Sequence, residues 1–220
     1  MVDRKGILNR QRTDLEQSEP VKWEYCLKTN DEQRSGGIAE AMEGVDVCIA
    51  ASRPGPGIIK KEWVGRMADD SIIFPIANPV PEIWPWEAKE AGARIVATGR
   101  SDFHNQVNNS LGFPGIFRGT LDVRAKDITD GMCIAAATAL AKSAEEKGLS
   151  DDFIIPAMED TQVFVDEAVA IGLKAMDEGV ARIKRAKSEL EELARGLIER
   201  SHNQTSMLMR QGFVPPQPKE

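Results

Sequence analysis

Between Asp46 and Thr98 the sequence repeats one plan three times: a short apolar run, a turn rich in Pro, Gly or Asn, and in two cases an amphipathic stretch. The runs are Asp46-Val47-Cys48-Ile49-Ala50-Ala51, Ser71-Ile72-Ile73-Phe74-Pro75-Ile76-Ala77 and Arg94-Ile95-Val96-Ala97-Thr98. That plan predicts parallel strands joined by crossovers. Apolarity that is continuous rather than alternating predicts strands covered on both faces. The linking segments, 60–68 and 84–91, mix charged and apolar residues at helical spacing and read as the crossover helices. Right-handed crossovers bring the segments after each run to one edge of the sheet, where open α/β sheets bind ligands.

Past this region, 129–147 reads as a long Ala-rich helix and 161–200 as a longer one, with a break near Gly172 or Gly179. Phe164, Ala168, Ile171 and Ala175 fall on one helical face. Ile183, Leu190, Leu193 and Leu197 continue a similar seam among many charges, which packs on the domain or against another chain, or is simply the apolar side of a surface helix. The tail 212–220, with Pro215, Pro216 and Pro218, is expected to be mobile. The fold class is therefore α/β: a Rossmann-like parallel sheet, truncated at its N-terminal side, with a long C-terminal helical region. The division expected is 1–182 for the nucleotide-binding part and 183–220 for a helical extension and tail.

A formal net charge of −7 argues against a nucleic-acid partner, since a polyanion is bound through a basic face. The longest small and apolar run, Met132 to Ala141, is shorter than the roughly 20 residues that span a bilayer, so no membrane partner is expected. Charges at Asp3, Arg4 and Lys5 stand where a signal peptide needs an apolar run, and a cytoplasmic location follows. Cys26, Cys48 and Cys133 form no C-x-x-C pair and read as three buried thiols.

The polar loops behind the runs carry the chemistry. Asn105, Gln106, Asn108 and Asn109 lie close together after the third run. Carboxamides donate and accept without changing charge, which suits a site holding a carboxylate beside a nicotinamide ring; the alternative is a turn whose Asn side chains bond their own backbone. Asn78 sits before Pro79 in a loop stiffened by a further proline at 81. In Ser52-Arg53-Pro54-Gly55-Pro56-Gly57 the glycines let a backbone come close to a phosphate or ribose, although the same string also makes an ordinary turn. Asp3 is a candidate acceptor for an adenosine ribose hydroxyl at the end of a second Rossmann strand. His104 and His202 are the only histidines, so neither a multi-histidine metal site nor a His-based triad is supported.

Three strings are specific enough to carry a resemblance: Ile72-Ile73-Phe74-Pro75-Ile76-Ala77-Asn78-Pro79-Val80-Pro81-Glu82-Ile83, Val96-Ala97-Thr98-Gly99-Arg100-Ser101-Asp102-Phe103-His104-Asn105-Gln106-Val107-Asn108-Asn109, and Phe113-Pro114-Gly115-Ile116-Phe117-Arg118-Gly119. Together they resemble the bacterial and archaeal malic enzymes, over roughly Val2 to Arg182. The resemblance implies oxidative decarboxylation of malate to pyruvate with NAD or NADP and a divalent Mg or Mn ion; Asp3 suits a free ribose hydroxyl and Arg4 a 2′-phosphate, and between the two NAD is preferred. It implies that Asn78 and Asn109 contact substrate, that Asn78 also contacts the nicotinamide, that Asn108 holds its loop at the cofactor, that Ser52, Pro54 and Gly55 line the cofactor cleft, and that Asp3 meets the ribose.

The family's metal carboxylates, catalytic Lys and Tyr, first strand and Gly-rich phosphate turn all precede the part matched here. No G-x-G-x-x-G occurs, and no catalytic or metal-binding residue is assigned in this chain. The expectation is thus a nucleotide-binding portion, active when a complementing N-terminal chain supplies the metal site and the Lys–Tyr pair, in an oligomer. The alternatives are a non-catalytic nucleotide-fold binding or assembly module, or a gene fragment.

Overall fold

A computed structural model describes residues 1–215, and the mobile tail expected over 212–220 lies outside the described residues from 216 onward. Two compact units follow one another, Met1–Val107 and Asn108–Glu220.

The first unit is built on the three apolar runs, which form β3 (Val47–Ala50), β4 (Ile72–Pro75) and β5 (Ile95–Val96). They pair in parallel in the order β3-β4-β5, with Val47 opposite Ile72 and Ile72 opposite Ile95. The linking segments are helical as read, but short: α4 (Lys61–Val64) and α5 (Pro85–Glu90). Pro85 starts α5 at a position where the missing N–H costs nothing. Ile59, Val64, Ile73, Ile83, Ala88, Ala93 and Val96 are buried together with Met42 from α3 (Ile38–Met42).

One face departs from expectation. Val47 and Ile49 are 46% and 67% exposed, so β3 alternates between exposed and half-buried residues and is covered on one side only. Among the described residues β3 has β4 as its single strand neighbour. The N-terminal segment differs too. Val2–Asp3 (β1) pairs with Gly6–Ile7 (β2) as an antiparallel hairpin and stands outside the parallel sheet, so Asp3 does not end a Rossmann strand in the described sheet. Behind it, α1 (Leu15–Ser18) and α2 (Pro20–Lys28) close a small cluster of Leu8, Leu15 and Cys26, and Tyr25 is exposed.

The second unit is helical: α6 (Asn109–Asp122), α7 (Asp130–Lys147), α8 (Thr161–Asp177) and α9 (Lys187–Arg210). The stretch read as one long helix breaks at Gly179, whose φ of 71 is the left-handed conformation that glycine adopts without strain. Ala168, Ile171 and Ala175 are buried with Val123, Met132, Ala136, Leu190 and Ala194. Leu190 rests where a Cβ on Gly172 would meet it, which seats the start of α9 on α8. The three thiols do not share one environment as expected: Cys26 is buried, Cys48 intermediate and Cys133 exposed on α7. No helix among the described residues is long and apolar enough to cross a membrane.

Candidate functional site

The parallel ladder of β3 and β4 runs out with the bond from Ile76 N to the Ala50 carbonyl, and the two chains then part into loops. A side chain holds those loops together. Glu82, fully buried, accepts from Ser52 N at 2.7 Å and Ser52 Oγ at 2.9 Å through Oε1, and from Ala77 N at 3.1 Å through Oε2. Backbone bonds from Gly55 N to the Val80 carbonyl and from Ile59 N to the Glu82 carbonyl, each 3.1 Å, complete the seam. A buried carboxylate is costly unless donors surround it, and here the donors are those the strand ends leave without a ladder partner.

The sequence-derived site residues of the first unit sit on this seam with one exception. Ser52 and Pro54 are exposed, and Gly55 takes a φ of 131 with open space where its Cβ would be. Asn78 follows Ala77 directly and is exposed, its amide resting against Gly99, where a Cβ would stand 3.1 Å from Asn78 Nδ2 and 3.2 Å from the Ile76 carbonyl. Gly99 thereby gives Asn78 its room. The exception is Asp3, whose carboxylate is held by Arg12 at 3.0 and 3.1 Å, by Lys5 N at 2.9 Å and by Lys22 at 3.7 Å. The Arg12 hydrogen bonds keep its carboxyl below the usual value, against the opposing push of burial. With three of its four lone-pair sites taken, an ionised Asp3 keeps one on Oδ2, the oxygen that Lys22 also faces.

The amide loop divides by role. Asn105, at a φ of 53 and 5% exposed, donates its amide to the Val96 carbonyl at 3.2 Å and so pins the loop to β5. Gln106 bridges to Thr98, and its Oε1 is buried without a hydrogen-bond partner. His104 is exposed. Arg100 ties this loop to the one after β4. It donates to the Pro79 carbonyl at 3.0 Å, forms a two-pronged pair with Asp102 at 2.8 and 2.6 Å, and lies over the rings of Trp84 and Phe103. Trp84 stacks on Trp86 at 4.9 Å.

Asn108 and Asn109 open the second unit. Asn108 caps α6, its Oδ1 accepting from Ser110 N at 3.0 Å and Ser110 Oγ at 2.9 Å. Asn109 is the exposed first residue of the helix. Among the described residues no three His, Cys, Asp or Glu side chains converge to hold a metal ion.

Sequence reasoning missed Glu82 and Arg100 as parts of this arrangement. Glu82 lies 30 positions from Ser52, and only the crossover brings the two together. A charged residue inside an otherwise apolar and proline-rich string, Pro79-Val80-Pro81-Glu82-Ile83, was the available signal.

Residues 1–176 match the family described as "Malic enzyme, NAD binding domain". A relative named bifunctional malic/malolactic enzyme, from Bacillus subtilis, is 46% identical over 90% of this chain and 47% of its own length. An NAD-dependent malic enzyme of Geobacillus stearothermophilus is 44% identical over 82% of this chain and 37% of its own length. The crystal structure of the Entamoeba histolytica malic enzyme superposes with a TM-score of 0.95 at 45% identity, covering 99% of this chain and 45% of that one. The chain thus spans less than half the length of these two curated relatives.

Proposed function

The chain belongs to the malic enzyme family of NAD-binding domains, and from that membership we propose that it is the nucleotide-binding portion of an enzyme that oxidatively decarboxylates malate to pyruvate. The observation that supports this best is the seam of Ser52, Gly55 and Asn78: an open glycine backbone and exposed polar groups, fixed from behind by Glu82, at the carboxyl ends of parallel strands.

In this reading Ser52, Pro54 and Gly55 line the dinucleotide cleft, with Gly55 admitting the cofactor close to the main chain. Asn78 contacts substrate and the nicotinamide, where its amide can both donate and accept without a change of charge. Asn109 contacts substrate, and Asn108 holds the start of α6 in place for it. The chemistry the family draws on a divalent Mg or Mn ion for is polarisation of the forming ketone. In this reading the ligands of that ion and the Lys–Tyr pair are supplied by a complementing N-terminal half. The unpaired edge of β3 and the exposed side chains of Val47 and Ile49 are surfaces such a half would cover. The reading includes an oligomer and a cytoplasmic location. The division into 1–182 and 183–220 belongs to the same reading, 183–220 serving as the helical extension.

In this reading NAD is the favoured cofactor, an ionised Asp3 accepting from a ribose hydroxyl. Relatives of both kinds exist, an NADP-dependent malic enzyme of Halomonas elongata being 40% identical over 83% of this chain. With the complementing half present, malate-dependent reduction is expected to be faster with NAD than with NADP. Asp3→Ser should lower kcat/KM for NAD by about tenfold, the loss of one charge-assisted hydrogen bond, and narrow the preference. A preference for NADP in the unmodified protein would contradict this assignment.

A further inference from the structure

We propose that Glu82 is a positioning residue for the dinucleotide, its buried carboxylate fastening the loop after β3 to the loop after β4 so that Ser52, Gly55 and Asn78 are presented as one rigid surface; this rests on the dinucleotide reading of those loops.

The geometry carries the proposal. Past the Ile76–Ala50 bond no ladder joins the two chains, yet Ser52 and Ala77 are each bonded to one oxygen of the same side chain. Ser52 is itself a proposed cofactor contact, and Ala77 immediately precedes Asn78. Glu82 is 0% exposed, so it stands behind the surface and acts through these neighbours. Its carboxylate is satisfied only while both loops are in place, since moving either one strands a buried oxygen or a buried N–H.

The residue type matters as much as its position. Three donors converge on two oxygens, and a group that only accepts can serve all three. Glutamine has the same shape but must turn its NH2 toward either Ala77 N–H or the two Ser52 donors, so one loop loses its fastening. Aspartate keeps two acceptors but is a methylene short of spanning both loops.

Native-state amide exchange by NMR, joined to an NAD titration of the chain in complex with the complementing N-terminal half that carries the phosphate turn, tests this. In the unmodified chain the Ser52 and Ala77 amides should show equal protection, because one opening event exposes both; a tenfold disparity between them would overturn the proposal. Glu82→Gln should speed exchange at Ser52 or Ala77 at least tenfold while the amides of α8 keep their rates, and should weaken NAD binding about tenfold. NAD binding within twofold of the parent, with exchange still accelerated, would make Glu82 a stabilising residue only and overturn the positioning role. Should the variant not fold, the comparison of Ser52 with Ala77 in the unmodified chain still decides. If NAD moves no amide of the unmodified chain while Ser52 and Ala77 still open together, the dinucleotide reading fails and the proposal with it. That outcome is distinct from a failure of the shared fastening.

Discussion

Glu167 faces Gly115 where α6 meets α8, fully buried, and no donor reaches either of its oxygens. Burial pushes its carboxyl from 4.5 up to about 8. In the unfolded chain the same group releases its proton near the ordinary value. Below that value both states hold the proton and the group is neutral to stability. Between 4.5 and about 8 the folded state keeps a proton that the unfolded state has lost, so stability falls as pH rises, and above about 8 the loss is complete. Glu167→Gln removes the titration. Its gain over the parent in urea unfolding should be small near about pH 5 and reach on the order of 2 kcal/mol near about pH 9; an equal difference at both pH values would show that the carboxyl is not held protonated. Nothing in Thr161-Gln162-Val163-Phe164-Val165-Asp166-Glu167 marks this residue as the buried one, because Asp166 beside it is exposed. Helical phase relative to a partner decides which acid is buried, and no local pattern supplies the partner. The same holds for Glu82. Asn78 and the glycines of the first loop were legible because prolines and glycines state their backbone needs locally, whereas a latch between distant loops is a property of the folded pair. Burial, and after it the Glu82 charge, push the Cys48 thiol up to about 11.

Among the elements, α6 was the one the sequence concealed. Gly112, Pro114, Gly115 and Gly119 all argue against a helix by intrinsic preference. Their reason is tertiary: a Cβ on Gly115 would run into Glu167, and one on Gly119 into the Ala168 carbonyl and the Ile171 side chain. The small residues let α6 lie close on α8, and the packing outweighs the propensity lost. Gly119→Ala should therefore raise helix propensity yet destabilise the second unit, by about 1–3 kcal/mol. Urea unfolding followed by circular dichroism checks it, and a stabilised variant would mean that the two helices can separate freely. The strands β3 to β5 were legible because their apolar runs are short and bounded by turn residues, but the covering of β3 was not. A run such as Val47-Cys48-Ile49-Ala50 is apolar on both sides whichever layer finally lies over it. The exposure of Val47 and Ile49 shows that the described residues provide one layer only.

At the scale of the whole molecule, the chain is matched over most of its length by a single domain of its family. Residues 1–176 match the family's nucleotide domain, and the relatives named above are more than twice as long as the portion matched. Exposed apolar groups recur away from the sheet: Phe113, Phe117 and Leu121 form a stripe along α6, each more than half exposed, with the two phenyl rings 5.8 Å apart. Patches of this kind on a chain carrying a net charge of −7 are consistent with surfaces covered in an assembly. The most direct test of the central claim is an initial-rate assay of malate-dependent NAD reduction with manganese, comparing the purified chain alone with the chain co-expressed with the N-terminal half of a malic enzyme. Reduction that needs both parts and is abolished when the metal is chelated is the expected result. Turnover by the purified chain alone would contradict the assignment of the metal ligands and the Lys–Tyr pair to a complementing half.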